Sequence, residues 1–260
     1  MKLILLTLSF LLVFNNSCSC DKQKNKGPLH TKEFKGDFES IEVSNAIAAE
    51  IVKSDVERVV VTAPENMMED VAVTNDGGKL IVKMKPVSVI SKSSSDRVKV
   101  KIYATDFQSL EAESASSVSI KDKFLTETMK ISVSSSASVQ GNLEANEFHL
   151  DVSSTGTFKG NIWAVNLYST ASSSAKIEVT GKATTANIHT SSTAVFDGVD
   201  FIADAVEAEA SSSSQINIGV KKSLRATANS AASINYKVIG NNIMSYQDEQ
   251  KSGGTVRKIK

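Results

Sequence analysis

Residues Lys130–Ile162 read KISVSSSASVQGNLEANEFHLDVSSTGTFKGNI. Two clusters of tiny residues, Ser134–Ser138 and Ser153–Thr157, each stand between runs in which apolar residues alternate with polar ones. Ile131 and Val133 lead into the first cluster, and Leu150 and Val152 into the second. A period of two puts alternate side chains on opposite faces of an extended strand. Serines in such a setting are nucleophiles, a glycosylated low-complexity linker, or a structural device.

Copies of the stretch separate these readings. LEAESASSVSI, LYSTASSSAKIEV, IHTSSTAVFDG, VEAEASSSSQINI and ATANSAASINYKV all run strand, small cluster, strand. The residue after each cluster marks the repeat: Val118, Val139, Phe158, Lys176, Val195, Gln215 and Ile234, about 18 to 21 residues apart. A fixed short period is the mark of a repeat architecture. The absence of a 3.6-residue period excludes helical repeats. We therefore expect an all-β, right-handed parallel β-helix, each coil stacked on the last at roughly 4.8 Å around a continuous apolar axis. The serine clusters then fall at one corner of every coil. There small side chains let the backbone bend, and stacked hydroxyls satisfy local polar groups.

Outward from the repeats the pattern changes. FESIEVSNAIAAEIVK reads as one more coil with Asn45 and Ala46 at its corner. ERVVVTAPENMMEDVAVTNDGGKLIVKMKP inserts strands, and Asp76-Gly77-Gly78 is a hairpin signature. VISKSSSD, Val89–Asp96, reads as an exposed loop. The expected single domain covers 34–260: a first coil with an inserted hairpin cap (34–110), serine-cornered repeats (111–240), and a C-terminal cap (241–260) whose last basic strand closes the core.

The first 17 residues carry Lys2 and an apolar run from Leu3 to Phe14, a secretory leader too short for a membrane span. Both cysteines of the chain, Cys18 and Cys20, follow it directly, so the domain has no internal disulfide framework. The position resembles a bacterial lipoprotein lipobox. Ser17 and the nearby Leu12 and Val13 favour Cys18 as the lipidated residue, with Cys20 the alternative. Residues 18–33 then read as a lipidated tether and spacer.

The segments GDFESIEVSNAIAAEIV, VVVTAPENMMEDVAVTNDGGKLIVKM, the serine repeats and a terminal SGGTVRKIK together resemble the autotransporter-adhesin head GIN domain family of Bacteroidetes and related bacteria. The resemblance runs from about Phe34 to Lys260. It implies a β-helical cell-surface or periplasmic protein with an adhesive role; together with the lipobox-like position this leads us to expect an outer-membrane lipoprotein on its surface or periplasmic face. Family members carry Gly-Gly-Ser-Asp at the corners. This chain has SASS at Ser114–Ser117 and SSAS at Ser135–Ser138, which keeps the coil but removes the aspartates and any calcium-like role for them.

Lys plus Arg equal Asp plus Glu, so no global field draws the chain to nucleic acid. Catalysis has little to build on. No Gly-x-Ser-x-Gly elbow is present, and His30, His149 and His189 are the only imidazoles. In this register Asp151, Tyr168 and His189 form one outward column after the inward Leu150, Leu167 and Ile188, with Asp151 and His189 two coils apart. An envelope carbohydrate-active enzyme on the same scaffold is the alternative, with Glu111, Glu113, Glu207 and Glu209 as candidate acids. We expect no cofactor and no metal site. Binding of a protein or glycan is the preferred expectation, and a homo-oligomer is compatible with it. Trp163, Tyr168 and His189 are the candidate surface-binding residues, whereas Phe158 and Phe196, at the repeat positions of Val118 and Val139, belong to the core.

Overall fold

In the computed structural model, residues 28–85, 98–240 and 243–260 are described. The leader, Cys18, Cys20 and the Val89–Asp96 loop lie outside the described residues. The chain opens with β1 (Leu29–Lys35), β2 (Ser40–Ser44), β3 (Ala48–Lys53) and β4 (Arg58–Pro64). A single helical turn, α1 (Glu65–Met68), precedes the hairpin β5 (Val71–Asp76) and β6 (Lys79–Met84). Then come β7 (Lys99–Ala104), β8 (Ser109–Ala112) and β9 (Ser117–Ile120). Long strands follow: β10 (Phe124–Val133), β11 (Ser138–Val152), β12 (Thr157–Ala171), β13 (Lys176–Thr190), β14 (Val195–Ala210) and β15 (Gln215–Ala228). β16 (Ser233–Val238), β17 (Ser245–Gln250) and β18 (Thr255–Ile259) complete the chain.

This is the expected β-solenoid. Each of β11 to β14 runs from one corner almost to the next and pairs in parallel with the strand of the following coil. The register sets the core. Val118, Val139, Phe158, Ile177, Phe196, Ile216 and Ile234 stack in one column and all are buried. Lys176, Val195 and Gln215, taken above as repeat marks, therefore sit one residue before the equivalent core position. Burial of Phe158 and Phe196 agrees with their sequence reading.

The corners explain the serines. Ser135 and Ser136 have φ of 52° and 64°, and the Ala137 N–H donates to the Ser134 carbonyl at 3.0 Å. Two successive positive φ values closed by an i to i+3 hydrogen bond make a type I′ turn. The pair recurs at Asn45–Ala46, Ser114–Ala115, Ser154–Thr155, Ser173–Ser174, Ser192–Thr193, Ser212–Ser213 and Ser230–Ala231. L-residues other than Gly, Asn and Asp rarely enter this region, because Cβ crowds the following carbonyl oxygen. Small size is thus demanded by left-handed backbone as well as by stacking. The residue closing each turn is small for a separate reason: Ala137, Ala175, Ala194 and Ala232 are buried, and a Cβ on Gly156 would lie 2.7 Å from the Val133 carbonyl oxygen.

The N-terminal part is threaded into the stack. β2 pairs in parallel with both β6 and β8, and β3 with both β7 and β9. Residues 40–53 are thus one coil lying between two coils that follow it in sequence. β5 pairs antiparallel with β6, with Asp76 opposite Lys79, and Gly77 and Gly78 take the positive φ values of 57° and 86° that this turn requires. β4 pairs antiparallel with β7, and β1 with β4. Residues 29–33, read above as spacer, are therefore strand, because β4 offers them an open edge.

The C-terminal segment continues the pattern where the sequence reading saw it break. β17 stacks on β15 and β18 on β16, joined by another left-handed corner at Ser252–Gly253. The inner column changes, however. Asp248 and Gln250 follow the buried Ala226 and Ala228, and Lys258 follows Tyr236. Capping here comes from polar side chains on an ordinary coil, a recognised way of blunting a sheet end.

Candidate functional site

With the core filled, chemistry is confined to the outward columns. On the face preceding the corner, one column runs Lys130, His149, Tyr168, Asn187, Glu207, Arg225, Gln247. Beside it, toward the corner, runs Asp151, Thr170, His189, Glu209, Thr227, Glu249. Tyr168 consequently does not share a column with Asp151 and His189. Leu150 faces Ser169, and Leu167 faces Phe148. The expected register slipped by two residues, which preserves the in-out alternation and so leaves no mark in the pattern. The buried Ser169 at an inward position hid the true alignment.

The candidate residues separate in space. The ring of Tyr168, 38% exposed, stacks on the His149 imidazole with centroids 4.9 Å apart and planes 13° from parallel. It lines an open groove of about 600 Å³ with Asn166, Thr185, Asn187, Glu207, Arg225 and Gln247. Trp163, 44% exposed, lines a second open groove of about 430 Å³ with Leu125, Asn146, Val165 and Lys182. The Lys182 ammonium lies 3.8 Å from its ring centroid, a cation–π contact that covers one ring face. His189 lines neither groove. Its Nδ1 lies 3.4 Å from Glu209 Oε2 on the next coil, both side chains more than half exposed.

Two of the candidate acids meet cations from other coils. Glu111 meets Lys79 at 3.2 Å and Glu207 meets Arg225 at 3.7 Å. On the face after the corner, Gln140, Lys159, Glu178, Asp197, Asn217 and Asn235 form a polar column. Hydrogen bonds from Lys176 and Lys159 hold the Glu178 carboxyl below its ordinary range, and a hydrogen bond from Lys222 does the same for Asp204. A glycosidase general acid needs its pKa raised; Glu178 and Asp204 are both shifted down and do not meet that need. Among the described residues no three His, Cys, Asp or Glu gather as metal ligands. Sequence reasoning missed Asn166, Asn187, Arg225 and Gln247, whose signal exists only once the register aligns them.

The family described as "Putative auto-transporter adhesin, head GIN domain" matches residues 37–239. The chain belongs to this family. Solved structures similar to this head GIN domain include a "putative adhesin" from Parabacteroides merdae, at 19% identity and TM-score 0.81, covering 91% of this chain and 98% of that one. A "putative lipid binding protein" from Parabacteroides distasonis is 21% identical with TM-score 0.77, at 91% and 98% coverage. A second "putative adhesin" from P. distasonis is 17% identical with TM-score 0.80, at 90% and 98%. At these identities the likeness establishes the fold. No curated protein matches the chain. The adhesin descriptions in the family agree with a non-enzymatic envelope or surface protein.

Proposed function

We propose that this protein is a non-catalytic interaction module of the bacterial envelope, an adhesin that binds macromolecules through the outward columns of its solenoid. The observation that carries this is the groove at Tyr168, where an exposed aromatic is grouped with amides and a compensated ion pair. Such a set suits hydrogen bonding and stacking, and a rigid stack of coils repeats weak contacts along one surface. We read Cys18 as the lipidated residue, which anchors the domain to the outer membrane. The carbohydrate-active alternative would need an acid of raised pKa beside a second carboxylate in a groove. His189 and Glu209 do come together, but as an exposed pair outside the two grooves that hold Trp163 and Tyr168. The lipid-binding description of one structural neighbour finds no support in the open, mainly polar grooves at Trp163 and Tyr168.

The test is binding of the purified protein to arrays of matrix proteins and glycans, together with adhesion of cells lacking it. Hydrolysis or elimination of any glycan on the array would refute the proposal, as would the absence of every ligand. Labelling with a palmitate analogue that persists in Cys20→Ala and disappears in Cys18→Ala supports the anchor assignment. The reverse pattern moves the lipid to Cys20, and no labelling in either removes the anchor.

A further inference from the structure

Along the column His149, Tyr168, Asn187, Glu207, Arg225 the side chains build a slot. His149 and Tyr168 are neighbours in this column, and their rings stack 13° from parallel, so the imidazole lies against one face of the phenol ring and leaves the other face free of it. The next position in the column is Asn187, half-buried and short. Glu207 rises one coil further, two coil spacings or roughly 9.6 Å from Tyr168. The slot thus has an aromatic wall, a low amide floor, and an opposite wall made by Glu207 and its partner Arg225 at 3.7 Å. Asn166 and Thr185 form one flank, and the Thr185 hydroxyl donates to Asn166 Oδ1 at 2.7 Å, which fixes that amide.

We infer that this slot is a binding site for a neutral pyranose at the end or branch of a glycan, inserted edge-on between Tyr168 and Glu207. The inference rests on the interaction-module reading above. Its chemistry follows from what a sugar offers. The C–H face of a pyranose packs on an aromatic ring, whose face carries partial negative charge. Adjacent hydroxyls both donate and accept, which matches a carboxylate, a guanidinium fork and planar amides side by side. The Glu207–Arg225 pair compensates its own charge, so the slot favours a neutral sugar over an acidic one. The pair sits at the surface, where water already satisfies it, and sugar hydroxyls can replace that water bond for bond. A single shallow site gives weak affinity, and many copies of the protein on one cell supply avidity.

The test uses the purified protein with a neutral and acidic glycan array, then calorimetric titration of the free sugars that score. Tyr168→Ala and Asn187→Tyr, the second filling the slot with a bulky ring, are expected to weaken neutral-sugar binding by about tenfold or more, as loss of a stacking anchor does. Tyr168→Phe keeps the ring and is expected to stay within about threefold. Thermal melts establish that each variant is folded; the outward position of both residues makes this the expected result. Sugar binding that is indifferent to Tyr168→Ala and Asn187→Tyr overturns the slot, as does protein binding without any neutral-sugar binding. Both of those results leave the interaction-module reading in place. Absence of every ligand overturns both.

Discussion

The backbone N–H of Ser136 donates to the carbonyl of Ser154, on the next coil, at 3.0 Å. The same bond links Ala46 to Ser114, Ala115 to Ser135, Thr155 to Ser173 and Ser174 to Ser192, and so on to Ala231 and Ser252. A ladder of left-handed turns thus runs the length of the solenoid, and its bonds offset the steric cost of each turn. Two hydroxyl pairs reinforce it, Ser136 with Thr155 and Ser174 with Thr193, both at 2.8 Å.

Because left-handed backbone strains any residue with a Cβ, Ala115→Gly at φ 60° is expected to stabilise the fold by about 0.5 kcal/mol after the glycine's entropic cost. Ala115→Val should destabilise it. Ala137→Leu, at a buried corner position, should cost about 1–3 kcal/mol by overpacking. Denaturant midpoints measure all three, and a stabilising Ala115→Val would contradict the turn geometry.

Lys79 ties three coils together. Its Nζ lies 2.6 Å from Glu42 Oε2 and 3.2 Å from Glu111 Oε2, and those two glutamates face each other on paired strands. Lys79→Gln leaves like charges opposed and is expected to cost about 1 kcal/mol, discounted because the lysine is 40% exposed. The hydrogen bond to Glu42 leads in raising the lysine pKa, against an opposing effect of burial. Its contribution is therefore full below 10.5, the ordinary value, and fades as pH rises through the folded value. Melting temperatures of the two proteins should converge at strongly alkaline pH.

Glu178 works in the opposite sense. Its folded pKa is lowered, mainly by the Lys176 hydrogen bond and then by Lys159 at 3.2 Å. The stabilisation is complete above 4.5, the ordinary value, and is lost as pH falls through the lowered one. Glu178→Gln should melt below the parent protein at neutral pH, and the gap should close on acidification. A gap that widens in acid would show that the ion pair is not its source.

Polar residues in the inner column of the last coil predict a solution property. Replacing Asp248 and Gln250 together by leucine extends the apolar column that ends at Ala226 and Ala228 and exposes it on an open parallel edge. End-to-end association should follow, read as concentration-dependent mass in light scattering, while the parent protein keeps its mass under the same dilution.

The coil, its length and its corner were legible in Lys130–Ile162 because periodic stacking forces the same residue type to recur wherever the backbone does the same thing. Inward and outward sets were legible for a related reason: a strand alternates whatever its partner is. Pairing between coils was not legible. A two-residue slip conserves alternation, so only packed neighbours could place Tyr168 between His149 and Asn187 in one column. Nor could local pattern reveal that residues 40–53 lie between coils formed later in the chain, or that Ser245–Ile259 is a further coil with Asp248, Gln250 and Lys258 at inward register positions. Sequence by itself determined the repeating unit, since that depends on local backbone demands. Tertiary structure decided the Tyr168 groove and the Glu207–Arg225 pair, since those arise between residues about 19 positions apart that meet only when neighbouring strands choose a register.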